Sequence, residues 1–190
     1  MDNSISTFLS TVSLCLLTKE KTYPQEVLDN VNKYPFGEVL IGYNSNTPYL
    51  KYELFKRAKF DILAYQDDDA IVPWDKLIEA YKPDIINLGM KPGHLIEYKD
   101  RRHTMGLGWG CLFPKSMLES LKKYTNIYGF DVEFYQRETE RILTYLNYPQ
   151  NRVSLDIVDL PSAWAMDRLW RQPNHHDYIP ILEERCKPLI

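Results

Sequence analysis

Short apolar runs that alternate with amphipathic segments are the first pattern along this chain. Residues 12–17 (Val-Ser-Leu-Cys-Leu-Leu) are apolar between polar flanks, as is typical of a buried strand. Similar runs return at residues 38–43 and 60–65, and residues 23–32 and 48–59 between them carry apolar positions at helical spacing. The order strand, helix, strand, helix, strand predicts an α/β fold with a mostly parallel central sheet.

The second half of the chain has a less regular pattern. We expect helices at residues 74–81, 114–124 and 131–146, strands at 84–88, 94–98 and 153–158, and a glycine-rich, β-like stretch at 106–113. From residue 160 the chain is rich in Trp, Pro and His without periodicity, so we expect a tail that packs over the active site. Residues 1–190 are predicted to form one compact domain whose first element is the strand at 12–17.

The position of the strand ends predicts where a ligand binds. Ligands of open α/β sheets collect beyond the carboxyl ends of the parallel strands. The site is therefore expected at Thr18, at Asn44 and from Gln66 onward.

Composition narrows the classes of protein. With 44% hydrophobic and 26% charged residues, the 190-residue chain can bury a sizeable core. A net charge of −3 without a long basic block disfavours nucleic-acid binding. The apolar run at residues 12–17 is too short to span a bilayer, and Asp2 rather than a basic region comes before it, so we expect no export signal. Three cysteines without a pairing pattern favour a reducing compartment, so we expect a cytoplasmic protein.

Three adjacent carboxylates, Asp67, Asp68 and Asp69, directly follow the strand at 60–65. If the extended geometry persists, Asp67 and Asp69 point to one side and can share a cation. Oxygen ligands of this kind suit Mg²⁺ or Mn²⁺, which complete their shells with water and substrate phosphates. In the alternative interpretation, one Asp caps the following helix and the others are solvated.

Residues 57–69 (Arg-Ala-Lys-Phe-Asp-Ile-Leu-Ala-Tyr-Gln-Asp-Asp-Asp) resemble the passage of GT-A glycosyltransferases that ends in their Asp-x-Asp metal motif. In element order the resemblance extends over residues 12–146, and the chain also looks like the small glycosyltransferase domain of large algal (chlorella) viruses that glycosylates the capsid protein. The resemblance implies a GT-A (Rossmann-like) fold with a mixed, mostly parallel sheet flanked by helices.

The resemblance further implies Mn²⁺ or Mg²⁺ as cofactor and a nucleotide-diphosphate sugar donor, UDP-hexose or UDP-deoxyhexose. It implies an oligosaccharide or glycoprotein acceptor. For a viral protein, the resemblance implies a location in the host cytoplasm. It also leaves open that this domain belongs to a longer multidomain chain.

Several site residues follow from the resemblance. Thr18 and Lys19 are expected at the base or ribose, or else are merely a polar strand end. Asn44 stands where many relatives carry an Asp that reads uracil, which leaves the base open. Arg57 is a candidate for phosphate or base binding, unless it is a solvated helix residue. Asp68 is placed with these cofactor-binding residues.

The glycine-rich stretch at 106–110 supplies two more candidates. Glycines permit close backbone approach at Gly110, and Trp109 offers an apolar face for a pyranose ring. In the alternative interpretation, Trp109 is a core residue.

Two elements near the end supply candidates for catalysis and metal binding. Asp131, and after it Glu133, are expected as the general base of an inverting enzyme, although a helix-capping role is the commoner one. His176 is the candidate third metal ligand, and His175 is the alternative. If neither binds a metal, both are ordinary surface histidines. Arg168, Trp170 and Arg171 are candidates for a lid over the diphosphate.

Two other functions remain open from the sequence. One is a noncatalytic module that binds a sugar nucleotide or glycan. The other is a haloacid-dehalogenase-type phosphatase, which is disfavoured because its Asp-x-Asp normally follows the first strand of the sheet and not the third.

Overall fold

A computed structural model describes most of the chain. The described residues are 3–44, 49–98, 101–103, 106–131, 134–164 and 177–190.

Eight strands and eight α-helices make up the fold. The strands are β1 (Val12–Leu17), β2 (Glu38–Gly42), β3 (Ile62–Asp67), β4 (Ala70–Ile71), β5 (Asn87–Met90), β6 (Cys111–Pro114), β7 (Asn151–Ser154) and β8 (Val158–Asp159). The helices are α1 (Asn3–Leu9), α2 (Gln25–Val31), α3 (Leu50–Arg57), α4 (Trp74–Glu79), α5 (Pro92–Glu97), α6 (Glu119–Tyr128), α7 (Tyr135–Leu146) and α8 (Ile179–Cys186). These counts refer to the residues described above.

Six of the strands form one sheet in the order β2-β1-β3-β6-β5-β7. Parallel pairs join β1 to β2, β1 to β3 and β5 to β7, whereas β6 runs antiparallel to both of its neighbours. Five strands therefore point the same way. The predicted fold class, a mixed and mostly parallel sheet, is confirmed.

Helices cover both faces of this sheet, because side chains along each strand alternate between two apolar cores. On β3, Leu63 and Tyr65 face a core shared with α3, α6, α7 and α8. Ala64 faces a second core, shared with α1, α2 and α4. The result is the three-layer arrangement expected when strands and helices alternate.

The structure departs from the predicted elements at several places. Residues 94–98, predicted as a strand, lie mostly in the helix α5, which begins with Pro92. No residue of α5 is buried, so packing against the core does not require these residues to form a strand. The strand predicted at 84–88 starts only at Asn87, because Asp84 has a positive φ of 62° and turns the chain.

The stretch at 106–113 and the strand at 153–158 each divide into two elements. Gly106–Trp109 is a 3-10 helix that leads into β6. The predicted last strand is instead β7 and β8, and β8 pairs with β4 in a separate two-stranded ribbon.

The ends of the chain hold helices that periodicity did not predict. The first described element is α1, ahead of β1, and its Leu9 is buried. In the tail, α8 packs on the core beside α7 through Leu182 and Cys186. Residues 165–176 of the predicted lid lie outside the described residues. In the part of the chain that is described, no helix has the length and apolar character to cross a membrane.

Candidate active site

The acidic triplet lies at the point where the chain connections of the sheet diverge. From β1 the chain passes through α2 to β2 on one side, and from β3 it continues toward β5 on the other. In the parallel register Leu17, the last residue of β1, is the partner of Asp67, the last residue of β3. Such a switch point leaves a crevice beyond the strand ends, where open α/β sheets bind ligands.

Asp67 is fixed from two sides. The hydroxyl of Tyr65 donates a hydrogen bond to its Oδ1 atom. A Cβ atom added to Gly108 would lie only 1.8 Å from its Oδ2 atom, so the carboxylate rests directly on the backbone of the 3-10 helix. The side chain is half-buried. Asp67 is therefore a carboxylate in a defined orientation at the edge of the sheet.

Asp68 joins the ends of two strands. Its Oδ2 atom accepts a hydrogen bond of 2.5 Å from the hydroxyl of Thr18, and both residues are buried. The same hydroxyl oxygen accepts a hydrogen bond of 3.1 Å from the backbone N–H of Glu20. Thr18 and Asp68, both predicted as site residues, are brought together here.

Asp69 does not continue the geometry of the strand. Asp68 and Asp69 form a turn between β3 and β4, so the alternation that was expected to place Asp67 and Asp69 on one side ends at Asp67. Asp69 is buried, and its carbonyl oxygen accepts a hydrogen bond of 2.7 Å from the N–H of Leu160. The predicted third metal ligand, His176, lies outside the described residues, as does His175.

A half-buried ion pair lies beside the triplet. Lys91 binds Asp159, which is the register partner of Ala70, the residue after Asp69. The ammonium of Lys91 also lies 5.2 Å from the ring centroid of Trp109, and the His94 ring lies 4.5 Å from the same ring. The Trp109 ring is thus already in contact with a lysine and a histidine.

Gly110, a predicted cofactor contact, packs closely against other residues of the protein. Its φ is +93°, a conformation that favours glycine, and an added Cβ atom would lie 2.6 Å from Val72. Its carbonyl oxygen accepts a hydrogen bond of 2.7 Å from the N–H of Gly89. A cofactor contact at Gly110 stays a prediction.

No family model matches the chain, and no curated protein matches it. Among solved structures, the crystal structure of A197 from STIV is similar to it with a TM-score of 0.47 and 13% sequence identity, over 78% of this chain and 85% of that chain. A likeness this distant identifies neither a family nor an activity.

Two predicted nucleotide contacts remain near the strand ends. Lys19 is exposed directly after Thr18. Asn44 is exposed after β2, has a positive φ of 54°, and donates its backbone N–H to the carbonyl of Glu20 at 3.1 Å. Their place at the carboxyl edge agrees with the prediction, and their role in binding stays a prediction.

The structure does not bring Arg57 together with the triplet. A helix that connects parallel strands runs back across the sheet, so Arg57 at the end of α3 lies near the start of β3. Asp67 is at the opposite end of that strand, whose two ends are about 17 Å apart at roughly 3.3 Å per residue.

Asp131 has the contacts of a helix-starting residue. Its Oδ1 atom accepts a hydrogen bond of 3.1 Å from the N–H of Phe134, just ahead of α7. Its Oδ2 atom lies 3.8 Å from Arg185 of α8. Glu133, the second candidate base, lies outside the described residues, so the assignment of a base stays a prediction.

Two residues behind the triplet were missed by the sequence reasoning. Lys51 of α3 is buried and forms an ion pair with Glu140 of α7, which is also buried. Both belong to helices, where charged residues are usually solvated, and 89 positions separate them in the sequence. No local signal in the sequence indicates such a pair.

Proposed function

We propose that the chain is a metal-dependent glycosyltransferase that moves a sugar from a nucleotide-diphosphate donor, a UDP-sugar, to a hydroxyl group of a glycan acceptor. The observation that carries the proposal is the oriented carboxylate of Asp67 within an acidic triplet at the switch point of the sheet. The resemblance of residues 57–69 to GT-A glycosyltransferases supports the same conclusion.

The donor atoms at this edge fit one kind of cation site. Among the described residues, no three His, Cys, Asp or Glu side chains are grouped so that they could hold a metal ion by themselves. Mg²⁺ and Mn²⁺ commonly bind one or two carboxylates and take their remaining ligands from water and substrate phosphates, which suits the half-buried carboxylate of Asp67, with Asp69 kept as the second candidate ligand.

Each part of the edge has its own task in this proposal. Asp67 and Asp69 would hold the cation, which when bound offsets negative charge on the departing nucleoside diphosphate. Thr18 and Lys19, beyond β1, would contact the nucleotide. Asp68 keeps the ends of β1 and β3 together through Thr18.

The sugar side of the site is assigned to the neighbouring 3-10 helix. Trp109 follows Gly108, which lies against Asp67, so the Trp109 ring is the proposed contact for the donor sugar. Lys91 already lies over this ring, so a pyranose would have to stack on it beside or in place of that lysine. The acceptor hydroxyl would lose its proton to Asp131 or Glu133 in an inverting reaction.

Titration calorimetry with a panel of sugar nucleotides tests the proposal. We expect UDP or a UDP-sugar to bind only with Mn²⁺ or Mg²⁺, and the bound donor to be hydrolysed slowly without an acceptor. Asp67→Asn and Asp69→Asn should abolish the metal-dependent part. Asp156→Asn is the matched control, because Asp156 is exposed and paired only with exposed Lys76 among its described contacts.

Three results would contradict the proposal in different ways. Donor binding without hydrolysis or transfer to any acceptor would favour a noncatalytic binding module. Phosphate release from simple phosphomonoesters would favour a phosphatase of the haloacid-dehalogenase type. Equal binding by wild type, Asp67→Asn and Asp69→Asn would remove the triplet from the site.

A further inference from the structure

The contact between Tyr65 and Asp67 follows from the geometry of β3. The two residues are two positions apart, so their side chains leave the strand on the same face. Tyr65 is only 1% exposed, and its ring packs edge to face on Phe55 with centroids 5.8 Å apart. The packed ring therefore holds its hydroxyl at one place, where it donates to Oδ1 of Asp67.

A buried cation lies on the ring of Tyr65. The Nζ atom of Lys51, a residue that is 2% exposed, lies 4.3 Å from the ring centroid and binds Glu140. Burial by itself would lower the pKa of Lys51, but the charges of Glu140 and Asp67 outweigh it and raise the pKa, so the ammonium stays charged. A desolvated ammonium over an aromatic face is an attractive contact, and it restricts the ring further.

We propose that Tyr65, held by the buried Lys51–Glu140 pair, is a positioning residue that fixes the Asp67 carboxylate to receive a divalent cation. The inference rests on the proposed function. Tyr65 occupies one carboxylate oxygen, and the second oxygen lies against Gly108 at the edge of the sheet. A ligand held in this way loses no rotational freedom when the cation binds, and such outer partners commonly contribute a factor of about 10–100 to metal affinity.

The chain offers a close control for the Tyr65 hydroxyl. Tyr52 is 2% exposed and packs edge to face on the same Phe55 ring, with centroids 5.3 Å apart. Unlike the hydroxyl of Tyr65, the hydroxyl of Tyr52 has no hydrogen-bond partner among the described residues. Tyr52→Phe therefore removes a buried hydroxyl from the same core without touching Asp67.

Electron paramagnetic resonance of Mn²⁺, titrated into the full chain with and without UDP, measures the effect apart from any turnover. We expect Tyr65→Phe to weaken Mn²⁺ binding by about 10–100-fold and to change the spectrum of the bound ion. Tyr52→Phe should bind Mn²⁺ like the wild type. Thermal unfolding of each variant shows whether it is folded at the temperature of the titration.

The outcomes separate this inference from the proposed function. If Asp67→Asn loses Mn²⁺ but Tyr65→Phe binds it like the wild type, Tyr65 is not a positioning residue and the proposed function stands. If both Tyr variants lose affinity equally, a general effect of the core explains the loss and the inference is overturned. If the wild type binds no Mn²⁺ with or without UDP, the proposed function and the inference both fail.

A crystal structure of the wild type soaked with Mn²⁺ and UDP provides a second test that needs no variant. The inference requires the Tyr65 hydroxyl to keep its hydrogen bond to one oxygen of Asp67 while the ion lies on the other. An ion on the oxygen that Tyr65 now holds, with the hydroxyl displaced, would overturn it.

Discussion

Replacing Gly108 with alanine should displace the Asp67 carboxylate from its position. The added Cβ atom would lie 1.8 Å from Oδ2 and 2.4 Å from Cγ of Asp67. To reach an ordinary contact of about 3.4 Å, the carboxylate or the 3-10 helix has to move by roughly 1.6 Å. The carboxylate cannot move by that distance and keep its hydrogen bond to Tyr65.

The size of the effect can be bracketed. Forcing a methyl group into a packed site typically costs about 1–3 kcal/mol of unfolding free energy. For a chain of this size that corresponds to a melting temperature lower by about 2–4 °C per kcal/mol. Because the added methyl group pushes the carboxylate and the 3-10 helix apart, we expect Mn²⁺ affinity to fall at least as much as in Tyr65→Phe, by about 10–100-fold.

A second glycine supplies the control for Gly108→Ala. Gly93 lies in α5, and a Cβ atom added there meets nothing within 4 Å. Gly93→Ala should stabilise the protein by about 0.5–1 kcal/mol, the usual gain from alanine in a helix, and leave Mn²⁺ binding unchanged. Urea unfolding and Mn²⁺ titration of both variants decide the matter. If Gly108→Ala is as stable as Gly93→Ala and binds Mn²⁺ like the wild type, Gly108 does not hold Asp67.

Three further results are expected. Lys51→Met should lower the unfolding free energy in urea by about 3–5 kcal/mol, because it leaves Glu140 buried without its partner, and Lys51→Met combined with Glu140→Leu should recover most of the loss. The pKa of Glu38 is lowered: burial raises it, but hydrogen bonds from the backbone N–H of Lys59 and from the Ser13 hydroxyl outweigh burial. The stabilisation that Glu38 contributes is therefore full above the unfolded pKa of 4.5 and is lost as the pH falls through the folded pKa. Glu38→Gln should accordingly make the stability of the protein fall less steeply at acidic pH. Burial raises the pKa of Cys15 to about 12, so at pH 8 its thiol should react with a thiol reagent only after unfolding, and rapid labelling of the native protein would contradict this.

The central strands could be predicted because their apolar runs are local and strong. β1 is buried along its whole length, and both β1 and β3 start and end close to the predicted bounds. The position of the acidic triplet at the carboxyl edge follows from those two strands. Thr18, which contacts Asp68 there, was predictable for the same reason.

Elements on the periphery of the sheet could not be predicted in this way. Helix α5 buries no residue, so its sequence carries no periodicity that distinguishes a helix from a strand. The contact of Gly108 with Asp67 depends on how the 3-10 helix folds against β3, which no local pattern records. Arg57 was a candidate because it precedes the strand that leads to the triplet and because a guanidinium suits phosphate, although the length of β3 separates it from Asp67 in space.

The three carboxylates of the triplet differ in what the structure allows them to do. Asp68 is buried and bound to Thr18, so a cation would have to compete with that hydrogen bond. Asp69 is buried in the turn, where the backbone fixes its position through Leu160. Asp67 alone of the three is half-buried and has one oxygen engaged by a hydroxyl and the other against a glycine. Loss of Asp67 should therefore weaken cation binding more than loss of Asp68, whereas loss of Asp68 should weaken the junction between β1 and β3. If Asp68→Asn lowers Mn²⁺ affinity more than Asp67→Asn does, this division of roles is refuted.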